Sequence, residues 1–249
     1  MPSARAAPAA EFLSLARSGL EELGNREAEH LAQASDWIAD AIAGGGVVRL
    51  FGTGHSRLLA EEVFFRAGGL APLDAILEDG VSGYHDVAKS ELTERLEGYG
   101  ELIVAHLRLA PRDVLIVISQ SGLIAVPIEV AQAARDRGVR TIAITSLAHA
   151  TSQPSRHSSG RHLHDVVDLV IDNGAPAGDC AVTLANGVPA GPLSTVFGAA
   201  IVQMLVIGAS TELIRRGIDP PVFRSGNVDG GREVSQALLD RYWDRIRGW

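Results

Sequence analysis

From residue 47 onward the chain alternates short apolar runs with stretches of helical spacing, and this rhythm limits its fold more than any other feature. The runs lie at 47–51, 73–77, 114–118, 141–145 and 166–171, and most are rich in Val and Ile. β-Branched residues are at ease in an extended chain, and a run without polar alternation suits a strand covered on both faces. The spacers at 57–67, around 92–107, 125–137 and 194–216 carry apolar residues at helical period. Strands that alternate with helices pair in parallel, because each helix returns the chain to the start of the next strand. The chain therefore reads as an α/β domain, a five-stranded parallel sheet flanked by helices in a three-layer sandwich.

Before the sheet, Phe12, Ala16 and Leu20, then Leu31, Ala34, Ile38, Ala41 and Ile42, predict two amphipathic helices broken near Gly24-Asn25. The expected organisation is an N-terminal helical segment over 1–45 packed on the domain, the sheet domain over 46–217, and a tail with a helix over 218–249. Two connections are longer than a connector needs: 148–164, rich in Ser and His, and 173–191, rich in Gly, Pro and Ala. Long loops at strand ends in such sheets often carry function.

The 249 residues are 46% hydrophobic and 21% charged, a balance that can bury a sizeable core. Thirty acidic residues against 22 Lys and Arg give a net charge of −8, and no long basic run offers the surface that nucleic acid or an anionic membrane requires. Lys89 is the sole lysine, which excludes a phosphate loop ending in Gly-Lys-Ser/Thr. Cys180 is the sole cysteine, so neither an internal disulfide nor a cysteine-based zinc site is available, and a reducing cytoplasmic setting is expected. Residues 1–20 lack the apolar core of a signal peptide, and the apolar stretch 199–209 is short for a membrane span.

Ligands of open parallel sheets sit beyond the carboxyl ends of the strands. After the first strand comes Gly52-Thr53-Gly54-His55-Ser56-Arg57, where glycines permit a tight turn and Ser56 offers a hydroxyl. After the third comes Ser119-Gln120-Ser121-Gly122, with two hydroxyls and exposed amides. A capped strand-to-helix turn explains either one alone; the two together point to a phosphate. A dinucleotide site is disfavoured, although Glu78 stands where a ribose-binding acid would lie, because Arg57 occupies the place of the third glycine.

With these loops the sequence resembles the SIS, or sugar isomerase, domain family of phosphosugar-binding proteins. The resemblance runs from about Val47 to Gly217 and is most specific at Ser119-Gln120-Ser121-Gly122. It implies a Rossmann-like sheet, commonly paired into a homodimer with sites near the subunit interface, and a sugar 6-phosphate held by Thr53, Gly54, His55, Ser56, Ser119, Gln120, Ser121 and Gly122. Ser194-Thr195 resembles the pair that opens the family's following helix and helps form the sugar pocket.

The chain is more distantly similar to the N-acetylmuramic acid 6-phosphate etherases, whose two acid/base glutamates have their nearest matches here in Glu62 and Glu97. Glu62 also stands four residues before Arg66, a common helix-surface pair. Glu91, Glu94, Glu97 and Glu101 fall on the helix expected around 92–107, where solvation is the usual reason for repeated acids, with Glu97 beside Gly98 as the exception. His85 follows the second strand and Asp179 the last, Asp179 where many family isomerases place a glutamate base. His162-Leu163-His164-Asp165 stops short of a full metal-ligand set, and neither metal nor cofactor is expected.

A sugar phosphate opened to its aldehyde has a C2 proton next to a carbonyl, removable by a carboxylate without a cofactor. Reprotonation at C1 gives isomerisation, whereas loss of the C3 substituent gives elimination. The etherase-like glutamates and an amide at C2 favour elimination, so the expected activity is a lyase or dehydratase acting on an N-acetylhexosamine 6-phosphate. An aldose-ketose isomerase is the alternative. A non-catalytic phosphosugar sensor is the third.

Overall fold

The computed structural model describes residues 7–246, so the first six residues of the N-terminal segment and the last three of the tail lie outside the described residues. In chain order the elements are α1 (Ala7–Arg26), α2 (Ala28–Ala43), β1 (Val48–Gly52), α3 (Arg57–Val63), β2 (Leu73–Ile76), α4 (Val87–Thr93), α5 (Tyr99–His106) and β3 (Val114–Ile118). They continue with α6 (Ala125–Arg135), β4 (Arg140–Thr145), α7 (Leu147–Ala150), β5 (Leu169–Asp172), β6 (Cys180–Thr183), β7 (Pro189–Pro192), α8 (Ser194–Arg215) and α9 (Gly231–Tyr242). Five strands form one parallel sheet in the order β2-β1-β3-β4-β5. The expected fold class is the observed one.

Every residue of β1 and β3 is buried, which is why those runs lack polar alternation. On one face of the sheet α1, α2, α3 and α8 pack over Leu50, Leu73, Ile116 and Ile142. On the other, α5 and α6 cover Phe51, Leu115, Val117 and Ala143. Phe223, Tyr242 and Ile246 from the tail close a smaller cluster with Val47 and Ala71. Arg49 and Asp74 sit directly opposite one another on β1 and β2 and form a buried ion pair.

Several boundaries depart from the sequence expectation for local reasons. The helix expected around 92–107 is two helices, because Gly98 takes a left-handed conformation (φ +88°) and the buried Glu129 carboxylate accepts from the N–H groups of Gly98 (2.6 Å) and Gly100 (2.9 Å). A side chain on α6 thus dictates where α5 starts. Helix α3 ends at Val63 rather than 67, where the chain turns extended and pairs with the tail through Leu70 and Val222. The strand expected to start at 166 starts at Leu169, after a 3-10 turn over Leu163–Asp165. Within 173–191, expected to be loop, β6 and β7 form an antiparallel hairpin. The break between the first two helices falls at Glu27.

The 22-residue α8 is long and apolar enough to cross a membrane, although its central stretch 199–209 is short for one. In the fold it buries Phe197, Ile201, Val202 and Leu205 against the sheet and α2.

Candidate active site

The loop after β1 owes its shape to Gly52. A Cβ there would lie 2.6 Å from the carbonyl carbon of Ser56 and 2.9 Å from the N of Arg57, so only glycine lets the chain fold back over itself. The loop after β3 turns on Gly122 (φ +62°), whose N–H donates to Ser119 Oγ at 3.2 Å. Both loops leave the carboxyl ends of adjacent strands, and they face each other across a cleft of about 230 Å³. Thr53, His55 and Ser56 line it from one side, Ser119, Gln120 and Ser121 from the other. Gly54 and Gly122 shape the turns without lining the cleft.

Ser194 and Thr195, at the start of α8, also line the cleft. Asp179 lines it too, but its carboxylate is committed: it accepts from the N–H of Leu193 (3.1 Å), the N–H of Ser194 (2.7 Å) and the hydroxyl of Ser194 (2.5 Å). It caps α8 from a distance in sequence. These three hydrogen bonds compete with the acid/base role expected of it, because the same lone pairs hold the helix terminus.

A second carboxyl lining the cleft is Glu94, in the break between α4 and α5. Burial pushes its pKa above the ordinary glutamate value, and a hydrogen bond from the Thr53 hydroxyl offsets part of that rise. His149 on α7 and Asn173 after β5 complete the polar lining. His149 Nδ1 accepts from the N–H of Gly178 at 3.4 Å, and Asn173 donates to Gln120 Oε1 at 2.8 Å.

Three catalytic candidates from the sequence do not line the cleft. Glu97 is exposed and accepts from both the N–H and the hydroxyl of Ser158, each at 2.6 Å, which holds its carboxyl below the usual range. The break that brings Glu94 inward turns Glu97 toward that loop. His85 is exposed and lies 3.9 Å from Asp79 at the surface. Glu62 lines an adjoining hollow that shares Leu59 and Thr195 with the cleft; its carboxylate pairs with Arg66 and accepts from Gln203 at 3.2 Å. Glu78, the acid weighed for a ribose, accepts from the Tyr99 hydroxyl at 2.8 Å, and burial pushes that phenol up to about 12.

Glu94, His149 and Asn173 were missed in the sequence. For the last two a signal existed, because each stands just beyond the carboxyl end of a strand. Glu94 was hidden by the single-helix expectation.

The model of a protein family described as "SIS domain" matches residues 11–146. A UPF0309 protein of Geobacillus kaustophilus is 43% identical over 228 residues, 91% of each chain. The solved structure of a phosphoheptose isomerase from Francisella tularensis overlaps 85% of this chain and 100% of its own, with a TM-score of 0.55 at 19% identity. The Vibrio vulnificus NanR protein complexed with ManNAc-6P overlaps 95% of this chain and 69% of its own, with a TM-score of 0.52 at 14% identity. At such identities the two solved structures speak to the fold.

Proposed function

The chain belongs to the SIS domain family, and on that premise we propose that it is a lyase that dehydrates an N-acetylhexosamine 6-phosphate such as N-acetylglucosamine 6-phosphate. The observation that carries this reading is a carboxyl with a raised pKa, Glu94, set among the hydroxyls of Ser56, Ser119 and Ser121 in one cleft. Hydroxyls and turn amides suit the phosphate, since hydrogen bonds to an ionised oxygen are the strong ones. The complex of NanR with ManNAc-6P supports the ligand class, as it holds a hexosamine phosphate on the same fold.

Dehydration needs one base and one acid, and two carboxyl groups in unlike surroundings divide those roles. The sugar, anchored by its phosphate, extends over Leu59 and Thr195 toward Glu62. Glu62, paired with Arg66, is the base that takes the C2 proton from the open-chain aldehyde. Electrons of the C2–H bond flow into the enolate and then form the C2–C3 double bond as the C3–O bond breaks. Glu94, whose pKa is raised by burial, gives a proton to the departing hydroxyl, and water leaves. His149 stands at the cleft to aid ring opening.

The experiment is to incubate the purified chain with N-acetylglucosamine 6-phosphate in deuterated water and follow it by NMR and mass spectrometry. Loss of one water with a new vinylic signal is the expected result. Deuterium at C2 without loss of water, or a ketose signal, overturns the lyase in favour of an isomerase. Saturable binding with no chemical change overturns both in favour of a sensor.

A further inference from the structure

Behind the second phosphate loop, the 3-10 turn at 163–165 gathers His162, His164 and Asp165 so that one ligating atom of each lies within 4.8 Å of the others. The two imidazoles stack, with ring centres 5.1 Å apart and planes 21° off parallel. His162 Nδ1 lies 3.5 Å from Asp165 Oδ2, and His164 Nε2 lies 3.5 Å from Asp165 Oδ1. We infer that this turn is a binding site for a divalent transition metal, Zn2+ foremost, held by His162 Nδ1, His164 Nε2 and the Asp165 carboxylate.

Two features prepare the turn for a cation. First, His162 Nε2 donates to the carbonyl of Gln153 at 3.1 Å, which fixes the tautomer and leaves the Nδ1 lone pair facing the carboxylate. An imidazole ligand whose far N–H is anchored on a carbonyl is the usual arrangement at metal sites. Second, the N–H of His162 donates to Asp165 Oδ2 at 2.8 Å, orienting the carboxylate with Oδ1 turned to His164. Zinc bonds to nitrogen and oxygen of about 2.0–2.2 Å imply ligands roughly 3.3 Å apart in a tetrahedron. The spacings to Asp165 are already near that value, and a side-chain shift of about an ångström closes the set. Imidazole with carboxylate selects Zn2+ and its late first-row neighbours over Mg2+ or Ca2+.

Between the two histidines, Leu163 donates its N–H to the carbonyl of Gly122 at 2.9 Å. The N–H of Arg156, from the same segment, donates to the carbonyl of Leu123 at 2.9 Å. A bound ion therefore stiffens the segment on which the Ser119–Gly122 loop rests, a role independent of whether the cleft is a lyase site.

The test is zinc binding by the untagged, chelator-treated chain in competition with a chromophoric indicator. The expected result is one equivalent bound with a Kd of about micromolar or below, weakened at least about tenfold by His162→Gln or His164→Gln and unchanged by His30→Gln. Circular dichroism of the metal-free variants separates lost ligation from lost folding. On the unmodified chain, long-range 1H–15N spectra should show Zn2+ shifting the ring nitrogens of His162 and His164. No saturable binding, ring nitrogens that do not respond, or binding unchanged in a folded double variant overturns the site.

Discussion

The hydroxyl of Thr53, on the loop after β1, and the carboxyl of Glu94, in the break between α4 and α5, face one cleft together. Thr53 tunes a half-buried acid that desolvation would otherwise raise further. A carboxyl whose pKa is raised by burial is suited to donating a proton, and its chemistry depends on both partners.

Glu94→Gln keeps the volume and removes the proton. It should lower kcat by about 10²- to 10⁴-fold while sugar phosphate affinity, read by calorimetry, stays within a few-fold. In the unmodified chain turnover should fall as pH rises through the Glu94 pKa, because the acid form is lost. Stability should carry the same sign: the folded chain holds this proton more tightly than the unfolded chain, whose ordinary value is 4.5. The stability it brings is complete below that value and is lost as pH rises through the folded one. Urea titrations across that range should show the slope in the unmodified chain and its loss in Glu94→Gln.

Ser119→Ala combined with Ser121→Ala removes two hydroxyls from the cleft. A hydrogen bond to a charged group is worth about 1.5–3 kcal/mol, so affinity for N-acetylglucosamine 6-phosphate should fall by at least about tenfold. Unchanged affinity would remove the phosphate from this loop.

Asp179 offers a test in which a cap and a base give opposite answers. Asparagine retains an oxygen that can accept from the N–H groups of Leu193 and Ser194, so Asp179→Asn should keep most of the turnover. Asp179→Ala should cost about 1–2 kcal/mol of stability through the lost cap. Turnover abolished in a well-folded Asp179→Asn chain would restore the residue as a base.

Glu97→Gln should leave kcat and KM near those of the parent chain. Its effect belongs to the surface clamp on Ser158, whose contribution is present above pH 4.5 and is lost as pH falls through the lowered folded value. Steady-state kinetics and an acid melting series read the two effects separately.

Gly52→Ala drives a methyl group into the backbone of Ser56 and Arg57, which has no flexible end to yield. A loss of about 1–3 kcal/mol is expected from the midpoint of a urea titration. Sugar phosphate binding should weaken with it, since the same turn carries His55 and Ser56.

The sheet was legible because burial on both faces writes itself into composition: Val114 to Ile118 has no polar residue to misplace. The two loops were legible as turns for a related reason, as glycines and hydroxyls gather where a strand hands over to a helix. What escaped was set by contacts far apart in sequence. Nothing near Gly98 announces that Glu129, 31 residues on, accepts its N–H and splits a helix, yet that split decides which of Glu94 and Glu97 faces inward. The cap that Asp179 makes was hidden as well, because its partners lie 14 and 15 residues further along the chain. The β6–β7 hairpin hid in a segment whose glycines and prolines speak for a loop.

The apolar α8 has a consequence for how the chain is made. A ribosome delivers Ser194–Arg215 only after all five sheet strands, so the surface formed by Ile38, Leu50, Leu73 and Ile116 waits uncovered until Val202, Leu205 and Val206 arrive to seal it. A chain stopped before residue 194 therefore presents a greasy sheet face without its lid, and such fragments belong to chaperones and proteases rather than to the working pool.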